Sequence, residues 1–346
     1  MLRLPRLLDA ETLRERARLA PSALALEQRL NGISTARLTL PPGAERASLG
    51  DLAEFYTGDG DSAGIFRCCG VAQDAATGVQ RSDWEHALAF LRDEVFPGLS
   101  AASAVSCGQA MAEALNAQAT RRFVFGGADF AVSCEYDLDC SSVLSALLAI
   151  GGTLPGPWAL GADFSSFPWT LRLKRLSDSP ACELRVSRSL SSLRIGADTV
   201  GLATRVVPVG RAGLRLPEGY IDAASAADWG IRARVVRDGS IRRVSHLRAF
   251  GQAQLERLSQ PRLTVTAEGR ALFSLTGEAL DRLRLGACCR VPLPEEGLTL
   301  TEHITGLSWP DLARTPERVK VTIASAREGI AETLWTLRGR GQDGSA

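Results

Sequence analysis

Lysine is nearly missing from this 346-residue chain: Lys174 and Lys320 are the only two, and every other basic residue is arginine. The arginines are spread along the whole length, so their excess marks no phosphate or carboxylate site. Forty basic residues face thirty-nine acidic ones, for a net charge of +1. That balance removes the simple electrostatic argument for a dedicated nucleic-acid or anionic-membrane binder. Histidine is equally scarce, with only His86, His246 and His303, and no CxxC spacing occurs. A zinc site needs several such ligands close together, so neither a metal nor a cofactor is expected. Long apolar runs are lacking too. The longest, Val143 to Leu154, is too short to span a bilayer and contains Gly151 and Gly152. At the N-terminus, Arg3, Pro5 and Arg6 interrupt the apolar residues, which is not a signal peptide. We therefore expect a soluble protein made in the cytoplasm.

Cysteine is present eight times. Cys68–Cys69 and Cys288–Cys289 are adjacent on predicted strands, so within each pair the side chains point to opposite faces and cannot easily share a metal. Cys134 and Cys140 are the only close pair that could bridge. Free thiols are expected in a long chain without a secretion signal.

With 45% hydrophobic residues the chain can fill two or more cores, and several small domains are expected. The stretch from Asp281 to Ser325 reads as an antiparallel meander. Its first run ends at Val291, before Pro292 and Pro294, and Glu295, Glu296 and Gly297 supply a turn; its second runs from Leu298 to Trp309. In the third, Val319, Val321 and Ile323 alternate with Arg318, Lys320 and Thr322, the period of a strand with one buried face. Such a meander leaves edges uncovered, so further strands must come from upstream.

Those strands are legible. Ala23 to Leu40 reads as a hairpin turning at Asn31–Gly32. Thr57 to Gly64 reads as a solvated hairpin tip rather than a calcium loop, for it lacks the EF-hand glutamate. Helices are predicted over Ser103 to Thr120, capped by Ser106, and Ser141 to Ile150, capped by Asp139 or Ser141. With the strands Trp158 to Phe164 and Trp169 to Leu176 they form a small α+β unit. Strand chemistry returns at Cys182 to Val186, Leu193 to Ile195 and Ala203 to Val209. Between Arg211 and Gln260 a short strand and the helix Val244 to Leu258 read as an inserted module.

Three chemical readings compete along this chain. His86, beside Glu85 and Asp93, invites acid–base work, but a structural histidine bonded to nearby backbone fits better because no nucleophile is placed beside it. A thiol hydrolase pairing a cysteine with His86, His246 or His303 needs a base and an oxyanion donor that the sequence does not bring together. Trp158, Trp169, Trp309 and Trp335 could line a sugar surface, yet tryptophans among strand residues are more often core.

The order of segments resembles the phage tail-tip or baseplate hub family, the N-terminal hub module of tail-associated lysins, also called prophage endopeptidase tail proteins. The motifs that carry it are RLNGISTARLTLP (Arg29 to Pro41), SAGIFRCCGV (Ser62 to Val71), WEHALAFLRDEV (Trp84 to Val95), Cys182 to Gly210, and the meander. YIDAAS at Tyr220 to Ser225 and SQPRLTV at Ser259 to Val265 support it. The resemblance implies an α+β, mainly β fold with two similar antiparallel β-barrel domains, an α/β domain between them and a small insertion in the second barrel. On this chain the parts are 1–98, 99–180, 181–210 with 261–338, and 211–260, before a tail at 339–346. It further implies a homotrimer whose six barrels adapt a six-fold tail tube or distal tail protein to a three-fold tip. Tape-measure protein and DNA would pass through its channel transiently, and tip fibre or spike proteins would dock below. The place expected is the virion tail tip. Members often continue into a peptidase region; this sequence stops soon after Trp335, so lysin activity is not expected, and no catalytic residue is assigned. Glu295, Glu296, Arg318 and Lys320 are the candidate interface residues, the first two at a hairpin tip toward a neighbouring ring.

Overall fold

The computed structural model describes residues 3–9, 12–101, 103–134, 136–138, 140–185, 189–239, 241–259, 262–293 and 298–325. The fold is α+β and mainly β. Its dominant element is one large sheet in which the strands run Leu190–Asp198, Arg262–Arg270, Arg318–Ser325, Leu298–Trp309, Ala23–Arg29, Thr35–Leu40, Gln80–His86, Ser62–Gln73, Leu52–Tyr56, Arg6–Leu8 and Glu15–Arg18. The two ends of the chain meet inside it. Gly306 to Trp309 pair antiparallel with Arg29 to Leu26, and this seam joins the N-terminal and C-terminal strand sets edge to edge.

Alternation explains which residues fill the core. Leu24 and Leu26, Leu38 and Leu40, and Val319, Val321 and Ile323 are buried at every second position, while Arg37, Arg318 and Lys320 are exposed between them. A single apolar cluster contains Leu24, Leu26, Trp84, Leu307, Trp309 and Val321, so both strand sets share it. Trp309 and Leu26, opposite each other at the seam, are 0% and 1% exposed.

The unit between the two sets is built from the helices Cys107–Asn116 and Val143–Gly151 and a three-stranded sheet in the order Phe123–Ala128, Trp169–Arg175, Trp158–Asp163. The first helix is capped by Ser106 as expected. The Gln109 backbone N–H donates to Ser106 Oγ at 3.2 Å, and the Ser106 N–H donates back to Gln109 Oε1 at 3.1 Å. The second is capped by Ser142 rather than Asp139 or Ser141: Ser142 and Ser145 exchange the same reciprocal pair of bonds. Leu8, Leu52 and Ile65 of the large sheet pack into the same cluster as Met111, Leu147 and Trp169, which fixes this unit against the N-terminal strands.

Several expectations need correction. Pro292 lies inside a strand, Cys288–Leu293, and faces Thr299. Arg290 O accepts from the Leu184 N–H, and Pro292, two residues on, lies past the end of the short Cys182–Glu183 strand, so its missing donor is not required there. The Thr57–Gly64 turn is not a solvated tip. Asp61 pairs with Arg282 and Arg284, and a Cβ on Gly58 would sit 2.2 Å from Pro316 O, so the turn packs on the C-terminal part of the chain. Arg205–Val209, expected in the second barrel, pairs instead with Ile221–Asp222 and, in parallel, with Ala233–Arg237. These three strands and the helix Val244–Leu258, with Leu247 and Leu255 inward, make up the inserted unit.

Candidate functional site

The four residues expected at interfaces divide sharply. Glu295 and Glu296 lie outside the described residues. Arg318 and Lys320 stand on the exposed face of their strand, opposite the Val319 and Val321 core face. Lys320 faces Glu268 on one neighbouring strand and Ser308 on the other, a favourable cross-strand arrangement, whereas Arg318 faces Arg270.

His86 is a buried ring. Its Nδ1 accepts the Leu88 N–H at 3.2 Å, and burial pushes its pKa down to about 4, so it is neutral at pH 7. Glu85 does not serve it: the carboxylate takes the Arg67 guanidinium at 2.5 to 2.7 Å, and Asp93 pairs with the same arginine. His303 lies directly across from Cys288 in the Cys288–Leu293 hairpin pairing, a juxtaposition of a cysteine and a histidine. Both are buried and turned to main-chain carbonyls. His303 Nε2 lies 3.0 Å from Ser177 O, and Cys288 Sγ donates to Asp178 O at 3.2 Å. The side chain of His246 lies outside the described residues.

None of the eight cysteines is in a disulfide, Cys134 and Cys140 included. The structure brings together a pair separated in sequence, Cys182 and Cys289, side by side on parallel strands and both fully buried. The hydrogen bond with Cys182, together with burial, pushes the Cys289 pKa up. Burial likewise raises Cys68, to about 11. Such thiols are poor nucleophiles. Trp169 and Trp309 are core, Trp158 packs its ring against Gly151, and Trp335 lies outside the described residues. Among the described residues no three metal-ligating side chains cluster.

A cleft of about 1020 Å³ lies between the large sheet and the Trp158–Asp163 edge of the three-stranded sheet. Asn31 sets its geometry. The turn at Asn31–Gly32 was legible, with Asn31 at a φ of +54°. Its side chain does more: Nδ2 donates to Trp158 O and Oδ1 accepts the Leu160 N–H, each at 2.9 Å. The carboxamide thus acts as one unit of a neighbouring strand. Farther along, the Phe164 ring meets His86 edge-on at 5.4 Å. Arg172 and Lys174 also line the cleft, exposed between the buried Leu171 and Leu173, and neither makes an ion pair among the described residues. That alternation was visible in WTLRLKR, although nothing in the sequence said what its charged side faces.

The comparisons with known proteins agree with this architecture. Residues 180–334 match the family described as prophage endopeptidase tail. No curated protein matches the chain. A tail protein from Neisseria meningitidis MC58 superposes with a TM-score of 0.68 at 15% identity, covering 95% of this chain and 98% of that one. Prophage tail protein gp18 from Listeria monocytogenes EGD-e gives 0.61 at 12% identity, covering 98% and 100%. The E. coli c3393 protein, a type VI secretion component described as structurally similar to the T4 tail proteins gp27 and gp5, gives 0.54 at 11%, covering 95% and 78%. At these identities the likeness is one of fold.

Proposed function

We propose, from the match of residues 180–334 to the family described as prophage endopeptidase tail, that this protein is a structural hub of a phage or phage-like tail. The observation that carries the reading is the seam, where strand sets from both ends of the chain continue one sheet over one core. In this reading the two sets are the two barrels of the hub, one from the strands within 1–98 and one from Leu190–Asp198 with the strands between Arg262 and Ser325. The 99–180 unit lies between them, and the unit inserted in the second begins with Arg205–Val209 and ends with the helix Val244–Leu258. Three copies bring six such sets into a ring, and a ring of that kind offers a six-fold face to a tail tube or distal tail protein and a three-fold face to tip fibre or spike proteins. Tape-measure protein and DNA pass through the channel without lasting contact.

The role is non-enzymatic. What supports this is positive use of the candidate groups: His86 and His303 are engaged with main chain, and Glu85 is held by Arg67. Arg318 and Lys320, on an exposed sheet face, are the residues we assign to a subunit or lumen surface. Immunogold imaging of assembled tails tests the reading. Label is expected at the distal tip, and label spread along the tube would overturn it.

A further inference from the structure

The cleft carries an inference that stands whether or not the chain sits at a tail tip. Asn31 occupies the outward groups of one step of the Trp158–Asp163 edge, Trp158 O and Leu160 N. Backbone groups of a strand alternate in direction every residue, so Leu160 O and both backbone groups of Ala162 face the same way. They have no hydrogen-bond partner among the described residues. A bare edge is a template for another strand. We propose that this edge receives an extended, acidic segment of a partner protein, which adds to the three-stranded sheet as a fourth strand inside the cleft.

Space, charge and donors all fit that occupant. An extended chain fills roughly 160 Å³ per residue, from its rise, its spacing to the next strand and the depth of a sheet layer, so the cleft holds about six residues. Arg172 and Lys174 supply a cationic wall that outweighs the Asp163 carboxylate beside them, and Arg3 adds to it; of the other charges in the cleft, Arg29 pairs with Glu27 and Arg6 with Glu54, so the lining stays net positive. Lys174 lies across Gly161, where a Cβ would meet its Cε at 2.7 Å, so the lysine stem is held flat along the sheet. His86, 8% exposed, lines the same cleft, and its Nε2 has no partner among the described residues; with Nδ1 accepting from Leu88, Nε2 carries the proton and donates into the cleft. A nucleic-acid strand would use the cations but could not satisfy an edge that offers acceptors and donors in alternation.

The test measures binding of a short fluorescent peptide of alternating valine and glutamate to the full-length protein, with hydrogen exchange read over 158–164. The peptide is expected to bind and to slow exchange at Ala162, and the valine–lysine counterpart is expected not to bind. Ala162→Pro, which removes the outward donor, should weaken binding about tenfold or more, and so should Arg172→Glu with Lys174→Glu. Should Ala162→Pro fail to fold, the same peptide N-methylated at alternate amides keeps its charge and loses its donors, and it too should lose affinity about tenfold. Failure of the acidic peptide to bind overturns the proposal. So does binding indifferent to both Ala162→Pro and N-methylation, or equal binding of an oligothymidylate that Ala162→Pro leaves unchanged.

Discussion

The seam and the inserted sheet obey the same pairing rules and end in opposite states. At the seam, Leu26, Leu307 and Trp309 are 1% exposed or less, because strands from both ends of the chain close over them. In the inserted unit, Val206 and Val209 are buried, but Val235 on the neighbouring strand is 51% exposed and nearby Ile231 63%. Periodicity tells which side of a strand is apolar; only the rest of the chain decides whether that side is covered. Stability should therefore be concentrated where the two ends meet and be thin in the insertion.

The sharpest way to break this contrast is at its stronger pole. Trp309→Ala should cost about 3–5 kcal/mol in denaturant unfolding, since it empties a fully buried site shared by both strand sets. A loss within about 1 kcal/mol would mean that the seam is not a common core.

A second probe uses pH at His86, where the N-terminal strands meet the α/β unit. Burial lowers its folded pKa to about 4 from an ordinary 6.5. The unfolded chain takes up the proton first as pH falls, so the stability of the neutral ring is complete above about 6.5 and is lost on the way down to about 4, an effect of about 3 kcal/mol. His86→Asn keeps an acceptor for the Leu88 N–H and does not titrate. Its unfolding free energy should change less across that window than that of the parent protein.

Asn31→Ala should cost less, about 1–3 kcal/mol, by leaving Trp158 O and Leu160 N without partners. It should also speed hydrogen exchange over 158–164 while leaving 23–29 unchanged. At the weak pole, Val235→Thr should alter stability by no more than about 0.5 kcal/mol in the same unfolding experiment. Alkylation gives the contrast without mutation. Cys69, the exposed thiol, should react first, and Cys182 and Cys289 only on unfolding, as mass mapping of the labelled peptides would show.

Much of this molecule was legible in its sequence, and the legible parts share a cause. The hairpin at Asn31–Gly32, the Ser106 cap and the alternation of Val319, Val321 and Ile323 are set by local conformational preference. So is the structural character of His86, at least in its bond to the Leu88 backbone. What was misread depends on partners distant in sequence. Pro292 stays in its strand because the neighbour on its donor side has ended. Thr57 to Gly64 is tied down by Arg282 and Arg284, which no local pattern could announce. Arg205–Val209 joined the insertion through parallel pairing with Ala233–Arg237, and parallel partners leave no turn between them to read. Asn31 was recognised as a turn residue, but its bond to the α/β unit was invisible. So was the meeting of Cys182 with Cys289. The cleft between sheet and α/β unit was missed for the same reason: its walls come from segments that only the fold brings together.

The central claim is that three copies of this chain form a closed ring at the tail tip, and reconstruction of assembled tails by electron cryomicroscopy tests it most directly. The account predicts three copies at the distal end, with six strand sets around one axial channel. A position along the tube, or a tip assembly in which this chain does not occur as a three-fold ring, would contradict it.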